Sequence, residues 1–95
     1  MGQFAGVAAA EVSRWMAEYF FDLRSGDTFS KDNDGIELPD AEAAHEMALG
    51  ALVDAARDAV MEGSSDQRFA VEVRTGMGRV LEVGAVFYSK IFSKQ

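Results

Sequence analysis

The chain has 95 residues, of which 48% are hydrophobic and 26% are charged, and it contains no cysteine. This composition is typical of one globular domain, and the lack of cysteine excludes disulfides, thiolate zinc sites and cysteine nucleophiles. A formal net charge of −7 argues against sequence-independent binding to nucleic acid, because attraction to phosphates supplies most of that affinity.

The charge is distributed unevenly along the chain. Residues 32–66 carry ten acidic side chains and one basic one, whereas residues 67–95 carry five basic and two acidic ones. The pattern predicts either complementarity within one molecule or a self-complementary dimer. No stretch of about 18 apolar residues is present, so we expect no membrane span and a cytoplasmic location.

The first predicted elements are an N-terminal extension over 1–17, helical or disordered, and a strand over 18–24 with alternating apolar and polar side chains. The turn residues that follow lead into a second strand over 28–32. Asn33-Asp34-Gly35 predicts another turn, or a bulge, before a short extended segment over 35–38.

The segment "SKDNDGIELPD" at 30–40 superficially resembles a calcium-binding loop. With Gly35 at the sixth position, Asp32 and Asp34 occupy the third and fifth positions. The twelfth position, which should supply a bidentate glutamate, is Ala41. We therefore interpret Asp32 to Gly35 as turn residues and expect no metal site.

A long amphipathic helix is predicted from an N-cap at Asp40 to about Glu62, with Gly63 as its C′ residue. The apolar arc is rich in alanine, which lets a helix lie close to a sheet. Its predicted members are Ala41, Ala44, His45, Ala48, Leu49, Leu52, Ala55, Ala56, Ala59 and Val60.

Two further strands are predicted, over 68–75 and 79–88, joined by a glycine-rich turn. Gly84 predicts a bulge or bend in the last strand. The second face of these strands is expected to be polar, with Glu72, Arg74 and Glu82, although three apolar side chains break the pattern: Phe20, Val86 and Tyr88.

These elements predict an α+β fold in the order β-β-α-β-β, with a small antiparallel sheet and one helix packed on one of its faces. The domain is expected to span 18–88, with a tail over 89–95. Apolar groups on the open face of the sheet would bind the N-terminal segment, a second subunit or another partner.

Candidate catalytic groups are few. His45, the single histidine, lacks a recognisable nucleophile or carboxylate partner, and we interpret it as a half-buried structural residue. Asp40, Glu42 and Glu46 are close on the helix, but acids near a helix N-terminus are common for dipole reasons alone. The turn Thr75-Gly76-Met77-Gly78 lacks the dinucleotide fingerprint. We expect no catalytic, cofactor-binding or metal-binding residues.

Several short motifs, in this order and spacing, carry a family resemblance: Tyr19-Phe20-Phe21, Gly35-Ile36-Glu37-Leu38-Pro39-Asp40, Glu42-Ala43-Ala44 and Gly78-Arg79-Val80-Leu81. Over roughly 18–88 the chain resembles the DUF6894 family. The resemblance implies a small bacterial protein of the kind frequent in rhizobia and other alphaproteobacteria. Because that family has no established activity, the resemblance implies no catalytic residues.

We therefore expect a non-enzymatic protein that needs no cofactor and binds itself or another protein. The element order also resembles HicB-type antitoxins at the level of the fold. This second resemblance implies an alternative function, as an inhibitor of a basic partner protein, with which the acidic segment 32–66 is compatible.

Overall fold

Five strands and one helix are present in the computed structural model, which describes residues 16–64 and 67–93. They are β1 (Ala17–Ser25), β2 (Thr28–Ser30), β3 (Ile36–Leu38), α1 (Ala41–Met61), β4 (Gln67–Thr75) and β5 (Gly78–Phe87). All strand pairs are antiparallel, in the order β2-β1-β4-β5, and β3 also pairs with β1. The predicted α+β class is confirmed. The predicted N-terminal extension lies almost entirely outside the described residues.

The predicted strand order lacked one short strand. The segment that we expected to be merely extended forms β3, so the element order is β-β-β-α-β-β. The strands β2 and β3 do not pair with each other. Both lie on the same edge of β1, β2 beside its C-terminal end and β3 beside its N-terminal end. The outer edge strand of the sheet is therefore divided into two pieces of three residues each.

Alternation along the three long strands separates an apolar face from an open face. Phe21 lies opposite Val73, and Val73 lies opposite Leu81, on the face that α1 covers. The core is formed by these buried residues: Tyr19, Ala44, Ala48, Leu52, Ala59, Phe69, Val71, Val73 and Val83. Bulky side chains come from the sheet, and the helix contributes mainly alanines, as predicted.

The helix is rotated relative to the predicted arc. It packs mainly on β4 and β5, and Ala51 is half-buried although it was not predicted to face the sheet. Leu49, Val60 and His45 are exposed. The interpretation of His45 as a half-buried residue is therefore wrong. In a helix whose apolar residues are mostly alanines, neighbouring arcs differ little in hydrophobicity, and packing determines which arc faces the sheet.

Both ends of α1 have the predicted caps. The Asp40 carboxylate accepts a hydrogen bond from the Ala43 N–H at 2.9 Å. At the other end Gly63 has a φ of 96°, and the N–H groups of Gly63 and Ser64 donate to the carbonyls of Val60 and Ala59. This is the Schellman arrangement, in which a glycine adopts the left-handed conformation.

The irregularity in β5 is not at Gly84, where we predicted it. Gly84 pairs regularly with Ala70. The register shifts between Val73, opposite Leu81, and Arg74, opposite Arg79, so Val80 is the additional residue. The bulge keeps both Arg79 and Glu82 on the open face, because it inserts one residue into the alternation between them.

Among the described residues no helix is long and apolar enough to cross a lipid bilayer.

The close approach of α1 to the sheet predicts the effect of a larger side chain at Ala48, which is fully buried. We expect Ala48→Leu to lower the free energy of unfolding by about 1–3 kcal/mol, because a close-packed interface has no room for three more carbons. Urea denaturation followed by circular dichroism measures this change.

The matched control is Gly50→Ala on the exposed side of the same helix, where an added Cβ meets no atom within 4 Å. It should raise the free energy of unfolding by up to about 1 kcal/mol, since alanine has the higher helix propensity. Equal effects of the two substitutions would contradict the packing described here.

Candidate functional site

The open face of the sheet contains a buried ion pair between neighbouring strands. Asp22 of β1 is 4% exposed, and its Oδ2 accepts a hydrogen bond from Nε of Arg74 in β4 at 2.9 Å. Arg74 Nη2 donates to the Asp32 carbonyl at 2.8 Å. The Asp32 N–H donates in turn to Asp22 Oδ1 at 2.9 Å. The guanidinium and the buried carboxylate therefore hold the loop between β2 and β3 against the sheet.

Asp32 fills the gap between β2 and β3. In the described part of the chain, the centre of β1 has no strand on that side, because β2 ends opposite Leu23 and β3 begins opposite Tyr19. The Phe21 N–H instead donates to Asp32 Oδ2 at 3.0 Å. Asp32 Oδ1 accepts from the N–H groups of Asp34 and Gly35 at 3.0 and 3.2 Å. One carboxylate thus completes the strand edge and closes the adjacent turn.

Both carboxylates favour their charged forms. Burial raises the pKa of Asp22, but the Arg74 hydrogen bond, the Asp32 N–H, and the charges of Arg74 and Lys31 together bring it below its ordinary value. For Asp32, the hydrogen bond from the Phe21 N–H is the largest cause of a lowered pKa. Burial opposes that effect, whereas the Asp34 and Gly35 N–H groups and the Arg74 charge reinforce it.

An aromatic ring completes this network. The Arg74 guanidinium lies 4.6 Å from the centroid of the Phe20 ring, a cation–π contact. Gly35 has a φ of 73°, and a Cβ there would come within 2.8 Å of Phe20 Cε2. A glycine is therefore required for two reasons, the left-handed backbone and the contact with the ring. Phe20, which breaks the polar pattern of this face, is only half-exposed because it packs in this network.

The rest of the open face carries charged groups in rows. Glu72 lies between Asp22 and Glu82 on adjacent strands, and its carboxylate pairs with Arg79 at 3.0 Å. In the part of the chain that the structure describes, the side chains of Arg68 and Glu82 have no salt-bridge partner. Between them lies a shallow depression of about 330 Å³ with a floor of small residues, lined by Arg24, Arg68, Ala70, Glu82, Gly84 and Val86.

Exposed apolar side chains are concentrated along β5 and after it. Val86 is 67% exposed, and β5 is the terminal strand of the sheet. Further exposed apolar residues continue into the tail: Tyr88, Ile91 and Phe92. On α1 the exposed apolar residues include Leu49, Val53 and Val60. Within residues 16–64 and 67–93 the fold therefore presents one long strand edge and several exposed apolar groups.

The residues considered as catalytic candidates are not brought together. His45 lies exposed on α1, and α1 covers the face opposite the buried ion pair. The Asp40 carboxylate caps the helix, and Glu42 and Glu46 are exposed. The predicted turn residues Asp32 to Gly35 do form a turn between strands. Within 16–64 and 67–93 no group of three potential metal-binding side chains is close enough to hold an ion.

This arrangement fixes the loop between β2 and β3 on the open face of the sheet. Arg74, Asp22 and Asp32 satisfy one another, and no buried polar side-chain atom of the described residues is left without a partner. The role of Asp32 in completing the strand was missed from sequence. The signal was present as an Asp-x-Asp-Gly segment, in which the first aspartate commonly accepts hydrogen bonds from the following N–H groups.

Comparison with known proteins gives one match. A family model described as "Domain of unknown function (DUF6894)" matches residues 18–86, from the second residue of β1 to the penultimate residue of β5. No curated protein and no solved structure matches the chain.

Removing the Asp32 carboxylate tests its role in the strand edge. We expect Asp32→Ala to lower the free energy of unfolding by roughly 2–3 kcal/mol, because the Phe21 N–H loses its acceptor in a partly buried site. Thermal and urea unfolding measure the loss. Asp34→Ala, two residues away and exposed, should stay within about 0.5 kcal/mol of the unsubstituted protein. A similar loss in both variants would argue against a special role for Asp32.

The lowered pKa values predict a pH dependence with a definite sign. Because Asp22 and Asp32 have a lower pKa in the folded than in the unfolded chain, the unfolded chain takes up protons first as the pH falls. Their stabilisation is complete above an unfolded pKa of about 3.9 and is lost as the pH falls through their folded values. In urea titrations from pH 7 down to 2, Asp32→Asn should lose less stability than the unsubstituted protein. An equal or larger loss would contradict this assignment.

Proposed function

The chain belongs to the DUF6894 family, and we propose that its domain is a non-enzymatic protein–protein interaction module that acts as a homodimer. The observation that carries this proposal is the contrast between the two edges of the sheet. One edge is divided into β2 and β3 and is completed by the Asp32 carboxylate. The other edge is the ten-residue strand β5, with Val80, Val86 and Phe87 exposed on it.

An open strand edge is a binding surface, because its unpaired N–H and C=O groups can form backbone hydrogen bonds with a strand of another chain. Natural proteins protect such an edge with short strands, charged plugs or a covering segment. The β2–β3 edge has the first two of these features. On β5 a bulge at Val80 interrupts the edge, but the strand is not divided and remains regular from Leu81 to Phe87. Pairing of β5 with another chain is therefore the use that this architecture favours.

The proposal that the protein is not an enzyme rests on how its polar groups are used. Asp22, Arg74 and Asp32 hydrogen-bond one another and the backbone, so they hold the loop in place. A general base needs a partner group and access to a substrate, and His45 lies away from the buried carboxylates. We propose a cytoplasmic bacterial protein without cofactor that binds neither nucleic acid nor membrane, in keeping with its net charge of −7.

A second candidate function is binding of a basic partner protein, in the manner implied by the resemblance to HicB-type antitoxins. The observation that favours it is the outer surface of α1, where four exposed acidic residues accompany one arginine: Glu42, Glu46, Asp54 and Asp58, with Arg57. Asp54 is already paired with Arg57 at 3.0 Å. The remaining carboxylates are free to face a basic surface, and such contacts mainly raise the association rate.

Homodimerisation is tested by light scattering coupled to size exclusion across a range of protein concentrations. We expect a mass of twice the 10.3 kDa of one chain at high concentration. A mass of 10.3 kDa at every concentration up to the millimolar range would contradict the homodimer.

The second candidate is distinguished by charge reversal on α1. The variant Glu46→Lys, Asp58→Lys should leave the dimer intact and should weaken capture of a basic partner from a lysate of the native cell. If instead the substitutions abolish self-association, the acidic surface of α1 is part of the dimer interface and the second candidate loses its support.

A further inference from the structure

We propose that two copies of the chain pair through antiparallel β5 strands, with Gly84 on the two-fold axis, so that the sheets join into one. This inference rests on the proposed homodimer and deepens it by naming the surface and the register. The occupant is a second copy of the chain, because the surface around β5 is complementary to itself in both hydrogen bonding and charge.

The bulge and the alternation of side chains restrict the register. After Val80 the strand is regular from Leu81 to Phe87. A two-fold axis at Gly84 pairs all seven of these residues, with Leu81 opposite Phe87 and Glu82 opposite Val86 of the other copy. Opposed residues then point to the same face, as antiparallel pairing requires. Shifting the axis by one residue along the strand shortens the regular stretch that is paired.

Charge complementarity supports this register independently. Arg68 of β4 lies opposite Val86, so in the dimer one row contains Arg68, Val86 and then Glu82 of the second copy. In this row the backbones of Arg68 and of Glu82 of the second copy are two strand spacings apart, about 10 Å. The two side chains are long enough to meet above the valine that lies between them. Within one chain Arg68 and Glu82 are about 14 Å apart, too far for the same contact, because Arg68 lies opposite Val86, four residues along β5 from Glu82. The charged groups beside the depression that form no salt bridge in the described chain are Arg24, Arg68 and Glu82, and of these Arg24 already lies over the Phe29 ring, 4.9 Å from its centroid.

The exposed apolar residues of α1 extend the interface. Leu49, Val53 and Val60, together with the half-buried Ala56, follow a 4-3-4 spacing that forms one stripe. The strands β3 and β4 are parallel and connected through α1, and nearly all such crossovers are right-handed. That handedness turns the stripe toward β5. Pairing of β5 then brings two copies of α1 side by side at about 10 Å, an ordinary distance between packed helices.

The pairing also removes the remaining long edge of the sheet. In the dimer both outer edges are the divided β2–β3 edges, each completed by Asp32. Arrangements without a long open edge resist further association, so the assembly closes at two chains.

Cysteine cross-linking tests the register, because the chain has no cysteine of its own. In Glu82→Cys, Val86→Cys the two cysteines of one chain are about 14 Å apart, beyond disulfide range, whereas each opposes the other residue in the second copy. We expect most of the variant to run as a covalent dimer after mild oxidation. The control Glu82→Cys, Tyr88→Cys should cross-link much less.

Charge reversal provides a second readout. Glu82→Arg places like charges beside each other across the axis and should raise the dimer dissociation constant by about tenfold or more. Arg68→Glu, Glu82→Arg should restore it to within about threefold of the unsubstituted value. Circular dichroism of each variant verifies that the fold is retained.

The outcomes separate the two proposals. A dimer that does not cross-link through residues 82 and 86, or a charge swap that fails to restore affinity, overturns the β5 register and leaves homodimerisation standing. A monomer at all concentrations overturns both. Preferential cross-linking in the Tyr88→Cys control would shift the two-fold axis to Ala85 and overturn Gly84 as its position.

Discussion

The hydrogen bond from the Phe21 N–H to the Asp32 carboxylate is the interaction on which the rest of the architecture depends. It replaces the backbone acceptor that an uninterrupted edge strand would have offered. For the carboxylate to reach this position, the chain must turn at Gly35 with a positive φ, and Arg74 must hold the Asp32 carbonyl. The buried Asp22 balances the charge of Arg74 and accepts the Asp32 N–H. One missing stretch of strand thus explains a buried ion pair, a glycine and a ring contact.

Because Asp32 completes the divided edge beside β1, the two outer edges of the sheet differ. The edge beside β1 is divided and plugged by a charge, whereas β5 is long and its exposed residues include Val86 and Phe87. Apolar groups on α1 are exposed as well. The side of the helix that faces the core is mostly alanine, and Leu49 and Val53 lie outside the core. The proposed pairing of two copies through β5 would account for these features together. The polar network of the open face remains structural in this view.

Sequence patterns predicted four of the five strands, the helix and both helix caps, because alternation, alanine-rich periodicity and capping residues are local signals. The rotation of α1 was not predictable, since alanines lie on several adjacent arcs of the helix, and these arcs therefore differ little in hydrophobicity. We predicted the bulge at Gly84 because a glycine within a strand often marks one. The informative signal was the spacing of charged residues. Arg79 and Glu82 are three residues apart and both face outward, which requires one additional residue between them.

The third strand and its gap illustrate a different limit of sequence reasoning. Asn33-Asp34-Gly35 correctly predicted a turn, but a turn signal does not say which strands its two arms join. Here both strands that flank the turn, β2 and β3, pair with β1 instead of with each other. This non-local pairing is stabilised by side-chain hydrogen bonds between residues ten or more positions apart in the sequence. Asp32 therefore resembled a metal ligand or a turn residue in the sequence, and its role in the sheet emerged only with the fold.

Amide hydrogen exchange measured at several protein concentrations observes both edges of the sheet in one experiment, and it therefore tests whether Asp32 completes one edge while β5 pairs at the other. We expect the Phe21 amide to be protected at every concentration, and alternate amides of β5 to become protected only as the dimer forms. Rapid exchange of the Phe21 amide, or β5 amides that exchange equally fast at low and high concentration, would contradict it.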